Sequence, residues 1–127
     1  MTVTTTIGYV LAGVLAAAII FLGARFVLAP RVAAAGYGVP VDADQSATRA
    51  YLSVKGVRDI ASGLIVIVSM IAGDAHLLGW IILAATVIPL GDAAIVLRSG
   101  GAKSIAYGVH GATAAVMLVT TALLLLS

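Results

Sequence analysis

The chain has 127 residues, 62% of them hydrophobic and 9% charged, with a mean hydropathy of +1.20. A soluble domain carries roughly 25% charged residues, so this composition excludes a water-covered surface and puts the chain in a lipid bilayer. A net charge of +2 leaves no nucleic-acid footprint, and a chain without cysteine or glutamate excludes disulfides, thiolate chemistry and Cys-ligated clusters, leaving the side-chain carboxylates to five aspartates.

At about 20 residues per span, the length accommodates four transmembrane helices in a single domain, residues 1–127. The expected fold class is all-α, an integral membrane four-helix bundle. The first span is expected over 7–28. Its apolar run exceeds the roughly 7–15 residues of a signal-peptide core, so it reads as a retained helix. Gly13 and Ala17, like Ala12 and Ala16, have the four-residue spacing of small side chains that lets helices approach closely. The segment from Ala29 to Asp44 reads as a loop, broken by Pro30 and Pro40 and freed around Tyr37 by Gly36 and Gly38. Long loops often carry binding function, and an interfacial connector is the plainer reading. Asp44 or Ser46 is expected to cap the next helix.

The second span is expected over 48–72, ending at Gly73-Asp74. The short connection to the third span, 77–97, predicts antiparallel neighbours. Trp80 falls where an interfacial indole belongs. Pro89 removes one backbone hydrogen bond and predicts a kink. The fourth span is expected over 105–126, with Gly108, Gly111, Ala112 and Ala115 as a small-residue face for packing or for a second copy, hence an expected homodimer. Lys and Arg occur in the first and third loops and not at the termini or in the second loop. The positive-inside rule then places the loops at 29–47 and 98–104 in the cytoplasm and both termini outside a cell membrane.

The second span has charges where a span should have none. At about 100° per residue, Tyr51, Lys55, Arg58, Asp59, Ser62 and Ser69 share an arc of roughly 100°. Charges at membrane depth cost about 2.5–3.5 kcal/mol each on insertion scales and usually face a protein interior or wet cavity. Topology brings Arg25, Lys55, Arg58, Asp59, Asp92 and His110 to one level, from all four helices. The candidate catalytic groups are Asp59, Asp92 and His110. The candidate ligand-binding groups are Arg25, Tyr37, Lys55, Arg58 and Ser62. Each also has a plain reading: Arg25 and Lys55 snorkel to headgroups, Arg58 pairs with Asp92, Asp59 pairs with Lys55, and His110 is a packing residue. No spacing supports a metal site, no second histidine lies at this depth for bis-histidine haem ligation, and no cofactor is named by the sequence.

The segments Gly23-Ala24-Arg25-Phe26-Val27-Leu28-Ala29-Pro30, Gly36-Tyr37-Gly38-Val39-Pro40, Lys55-Gly56-Val57-Arg58-Asp59-Ile60-Ala61-Ser62-Gly63, Gly91-Asp92 and His110-Gly111-Ala112 together resemble a family of small four-span membrane proteins of unknown function. In layout that family is broadly similar to DoxX-like membrane proteins. The resemblance implies a four-helix bundle, and no catalytic role is carried across on it. Three functions compete: a membrane-embedded site that binds or transforms a lipophilic small molecule, an accessory or scaffold subunit, and a small transporter. An apolar outer half argues against the transporter, which needs polar groups on both sides of the midplane.

Overall fold

The computed structural model describes residues 1–127, a set of helices and the segments that join them. Five helices follow in order: α1 (Val3–Leu28), α2 (Pro30–Tyr37), α3 (Ser46–Ala72), α4 (Ala75–Arg98) and α5 (Lys103–Leu125). By length and apolar composition α1, α4 and α5 are each able to cross a membrane. The equally long α3 differs from them through the charges of its first half.

The four long helices pack antiparallel in sequence order. A side chain at Gly23 would meet Gly56, one at Gly63 would meet Ala16 and Ile20, and one at Gly13 would meet Met70. α3 thus runs back along nearly all of α1. The last turn of α5, around Leu124, meets both Gly8 of α1 and Gly79 of α4. Both termini and the Gly73-Asp74 turn therefore share one end of the bundle, the terminal end. The opposite end, with α2, holds all seven Lys and Arg residues in the nearer halves of the helices and in the loops, and is called here the basic end.

Close packing is concentrated in two places. At the basic end of the α1–α3 seam, a Cβ added at Gly23 would lie 2.6 Å from the carbonyl oxygen of Gly56, a backbone atom that cannot move aside. Only glycine permits so close an approach of two helix backbones. At the terminal end, Ala12, Leu78, Ile82 and Leu124 form a fully packed core. Of the small pairs on α1, Ala12 and Ala16 are the buried ones, while Ala17 faces outward.

Two long helices are irregular. α4 is interrupted at Thr86, one turn before Pro89, where the proline ring and missing N–H disturb the preceding turn. Thr86 Oγ1 donates to the Ile82 carbonyl at 2.8 Å, which binds the break locally. α5 contains a π-helical turn, Ala106–Gly111, a rare form that often marks functional sites.

Three expectations need correction. The segment after Leu28 is not all loop: Pro30 is the first residue of α2, where its missing N–H costs nothing. The cap of α3 is Gln45 without a side-chain bond. Asp44 instead pairs with Arg31. The small residues Gly108, Ala112 and Ala115 are exposed on α5 and pack no helix within the chain.

Candidate functional site

The helices separate towards the basic end and enclose a cavity of about 310 Å³, capped by α2. Its wall is 14 hydrophobic residues out of 23, so the body is apolar and the polar groups must be counted individually. Leu15, Ile19, Val66, Ile82 and Met117 line the inner part. Arg25, Tyr37, Lys55, Asp59, Asp92 and His110 line the part nearest the basic end. From Leu15 to Arg25 is ten residues of α1, or ~15 Å at ~1.5 Å per residue.

Tyr37 holds this polar end together. It is the last residue of α2, and Gly38 follows with φ of 98°, a left-handed turn that stops the helix there. The Tyr37 hydroxyl donates to Asp92 Oδ1 at 2.5 Å. Its main-chain carbonyl sits 2.8 Å from His110 Nε2. Its ring packs edge-on against Phe26 and His110, at centroid distances of 5.9 and 4.8 Å. Tyr37 lies between the first two long helices. Burial, with Asp92 accepting its bond, pushes its phenol well above the ordinary range, so it stays a proton donor at any physiological pH.

The carbonyl of Tyr37 also fixes the histidine. A carbonyl only accepts, so Nε2 of His110 carries the hydrogen. Nδ1 is then the nitrogen with the free lone pair. It lies 3.9 Å from Asp92 Oδ2, longer than a direct hydrogen bond but within reach through a single bridging atom. Asp92 and His110 are therefore placed to exchange a proton with something seated between them.

From α3, Lys55 Nζ donates to Asp59 Oδ2 at 2.7 Å. The same ammonium lies 4.3 Å above the Phe26 ring and 4.6 Å above that of Tyr37. Each cation–π contact at a partly desolvated site is worth about 0.5–2 kcal/mol. Lys55 is thus held inside and does not snorkel outward. Ser62 lines the cavity too, with Oγ donating to the Asp59 carbonyl at 2.7 Å.

The structure brings together seven of the eight residues named from sequence. Arg58 is the exception. It is exposed on the outer face of α3, does not line the cavity and does not pair with Asp92. Asp92 turns to Tyr37 and His110, and Asp59 pairs with Lys55 one helical turn before it. Phe26 and Thr113 belong to the site and were not named. Phe26 follows Arg25 directly, and its aromatic face opposite Lys55 depends on a tertiary approach that spacing along the chain does not reveal.

An all-helical chain with three helices long and apolar enough to cross a membrane fits a membrane protein. The chain belongs to the family described as a domain of unknown function (DUF4267), whose model matches residues 16–124. No curated protein and no solved structure matches it.

Proposed function

We propose that this is a four-span membrane protein whose cavity binds a lipophilic small molecule with one polar end and acts on that end by proton transfer. The observation that carries this reading is the form of the cavity: an apolar body closed at one end by Tyr37, Lys55, Asp59, Asp92 and His110. Its size suits a single small molecule, at the lower end of the roughly 300–1,000 Å³ of such sites.

The fourth span is α3. It lies beside α1 from the Gly23–Gly56 approach to the Gly13–Met70 approach, so it extends through the same thickness as its apolar partner. Lys55 and Asp59 are turned inward and paired, which lowers the cost of placing them in a bilayer. Exposed Arg58 snorkels to the headgroups from the lipid side. With all seven Lys and Arg at the basic end, the positive-inside rule makes that end cytoplasmic and leaves both termini outside.

A transporter is disfavoured because the other half has few buried hydroxyls, of which Ser69 and Thr120 are spent on their own helices while Tyr9 and Thr121 stand without a partner. Ser69 bonds the Ile65 carbonyl and Thr120 that of Val116, each at 2.8 Å, so they form no polar path. A scaffold role remains the second reading, favoured by the internal pairing of Lys55 with Asp59. The exposed small face of α5 fits a homodimer in either case.

The test is recovery of bound small molecules. Parent protein purified in mild detergent should yield a lipophilic compound on organic extraction and mass spectrometry. Ala85→Phe, which fills the cavity wall of α4, should fold and yield none. Identical extracts from the two proteins would leave the scaffold reading standing.

A further inference from the structure

The charged side chains on the cavity wall sum to zero, Arg25 and Lys55 against Asp59 and Asp92, but they do not pair off, and the cation left without a carboxylate identifies the head of the ligand. Of the five aspartates, Asp74 caps α4 at the terminal end, and Asp42 and Asp44 lie in the exposed loop after α2, where Asp44 takes Arg31. Asp59 takes Lys55, while Asp92 takes the Tyr37 hydroxyl and faces His110. None is left for Arg25. Arg25 is half-buried, lines the cavity, and carries its guanidinium 5.8 Å above the ring of Phe21 with no carboxylate in ion-pair range. The other unpaired cations, Arg49, Arg58, Arg98 and Lys103, are exposed and off the cavity wall.

Arg25 also sits on an opening. Leu22, Val32 and Val109 line the cavity and are nevertheless 42%, 57% and 47% exposed. They belong to α1, α2 and α5, so the cavity opens sideways between these helices, beneath the α2 cap. A molecule lying in the adjacent leaflet has its head near this level and its chain towards the bilayer centre. That is the orientation of the cavity, polar near Arg25 and apolar towards Leu15 and Met117.

We infer that the cavity admits a single-chain amphiphile with an anionic oxygen head, a carboxylate or a phosphate, held by Arg25 with its chain lying towards Leu15 and Met117. This rests on the small-molecule reading above and adds the chemistry of the head. A guanidinium binds either anion through paired N–H donors, and an unpaired cation beside apolar walls favours an anion over a neutral or cationic head. The cavity of about 310 Å³ holds one chain and not the two of a phospholipid.

The experiment uses the full chain in nanodiscs of zwitterionic phosphatidylcholine, titrated with decanoate, decyl phosphate, decanol and decyltrimethylammonium, with empty nanodiscs as reference. Binding is read as probe-dependent thermal stabilisation. Decanoate or decyl phosphate should bind at least tenfold more tightly than decanol, and the stronger of the two identifies the head. Decyltrimethylammonium should not bind. Arg25→Met should lower anion binding to the level of decanol and leave decanol unchanged, and Arg25→Lys should recover part of the preference. Arg25→Gln serves if the Met variant does not fold. Equal binding of decanol and the anions, preferred binding of the cation, or an anion preference that survives loss of Arg25, overturns the anionic head and keeps the cavity. Failure of all four probes, or binding that Ala85→Phe leaves intact, overturns the cavity reading itself.

Discussion

The Lys55–Asp59 pair separates an interior charge network from a solvated helix face. The two side chains are 28% and 10% exposed and meet at 2.7 Å. A solvated i,i+4 pair is worth about 0.3–0.5 kcal/mol. Removing one member of a fully buried pair costs about 3–5 kcal/mol, because the other charge stays buried and unpaired. Lys55 retains some exposure, which lowers the figure, and its two aromatic contacts add packing that Lys55→Met keeps only in part. Lys55→Met should therefore destabilise the fold by about 2–4 kcal/mol. The double variant Lys55→Met with Asp59→Leu removes both charges at similar volume and should recover most of that loss, since apolar replacement of a buried pair is often neutral or better. The assay is reversible unfolding in mixed micelles across a double-mutant cycle. A Lys55→Met variant within about 0.5 kcal/mol of the parent would refute the interior placement, since that is the size of a solvated pair.

Other substitutions probe separate parts of the fold. Gly23→Val should cost at least about 2 kcal/mol by forcing α1 from the Gly56 backbone, whereas Gly108→Ala, with nothing within 4 Å of the added carbon, should be neutral; both are read by unfolding in mixed micelles. Tyr37→Phe removes the 2.5 Å bond to Asp92 and should cost about 1–2 kcal/mol in the same assay, with the Tyr37 carbonyl still holding His110. Thr121 Oγ1 is buried without a hydrogen-bond partner, so Thr121→Val should raise the unfolding midpoint by the equivalent of about 1 kcal/mol. Cysteines placed at Thr2 and Ser127 should react with an impermeant reagent on intact cells and one at Gly100 should not; labelling at Gly100 alone would invert the proposed topology.

Local chemistry was legible in the sequence where one residue decides the outcome. Gly73 and Asp74 mark the α3–α4 turn because a left-handed glycine ends one helix and a carboxylate caps the next. Pro89 marks the irregularity of α4, which falls one turn earlier because a proline disturbs the residues before it. The level shared by Arg25, Lys55, Asp59, Asp92 and His110 followed from topology alone. Partner choice did not. Arg58 and Asp59 are adjacent, and 100° of rotation puts one on the exposed face and the other inside; an arc drawn from the sequence has no origin until a neighbour is packed. Nor did Pro30 disclose α2, since the same residue ends one helix and begins another. For the π turn around His110, only the flanking Gly108 and Gly111 hint at a backbone free to adopt it.

The glycine seam between α1 and α3 has a consequence for movement. The two backbones touch where Gly23 meets Gly56 and where Gly63 meets the Ala16 carbonyl, with Ile60, Ile19 and Ile20 wedged against the same glycines, so these helices form one stiff slab. The facing slab, α4 with α5, is jointed: α4 at Thr86 and α5 at its widened turn, both beside the cavity. Compliance is therefore all on one side. Any breathing that lets a molecule pass bends the second slab against the first, and His110, carried on one of the joints, moves with it while Lys55 and Asp59 stay in place.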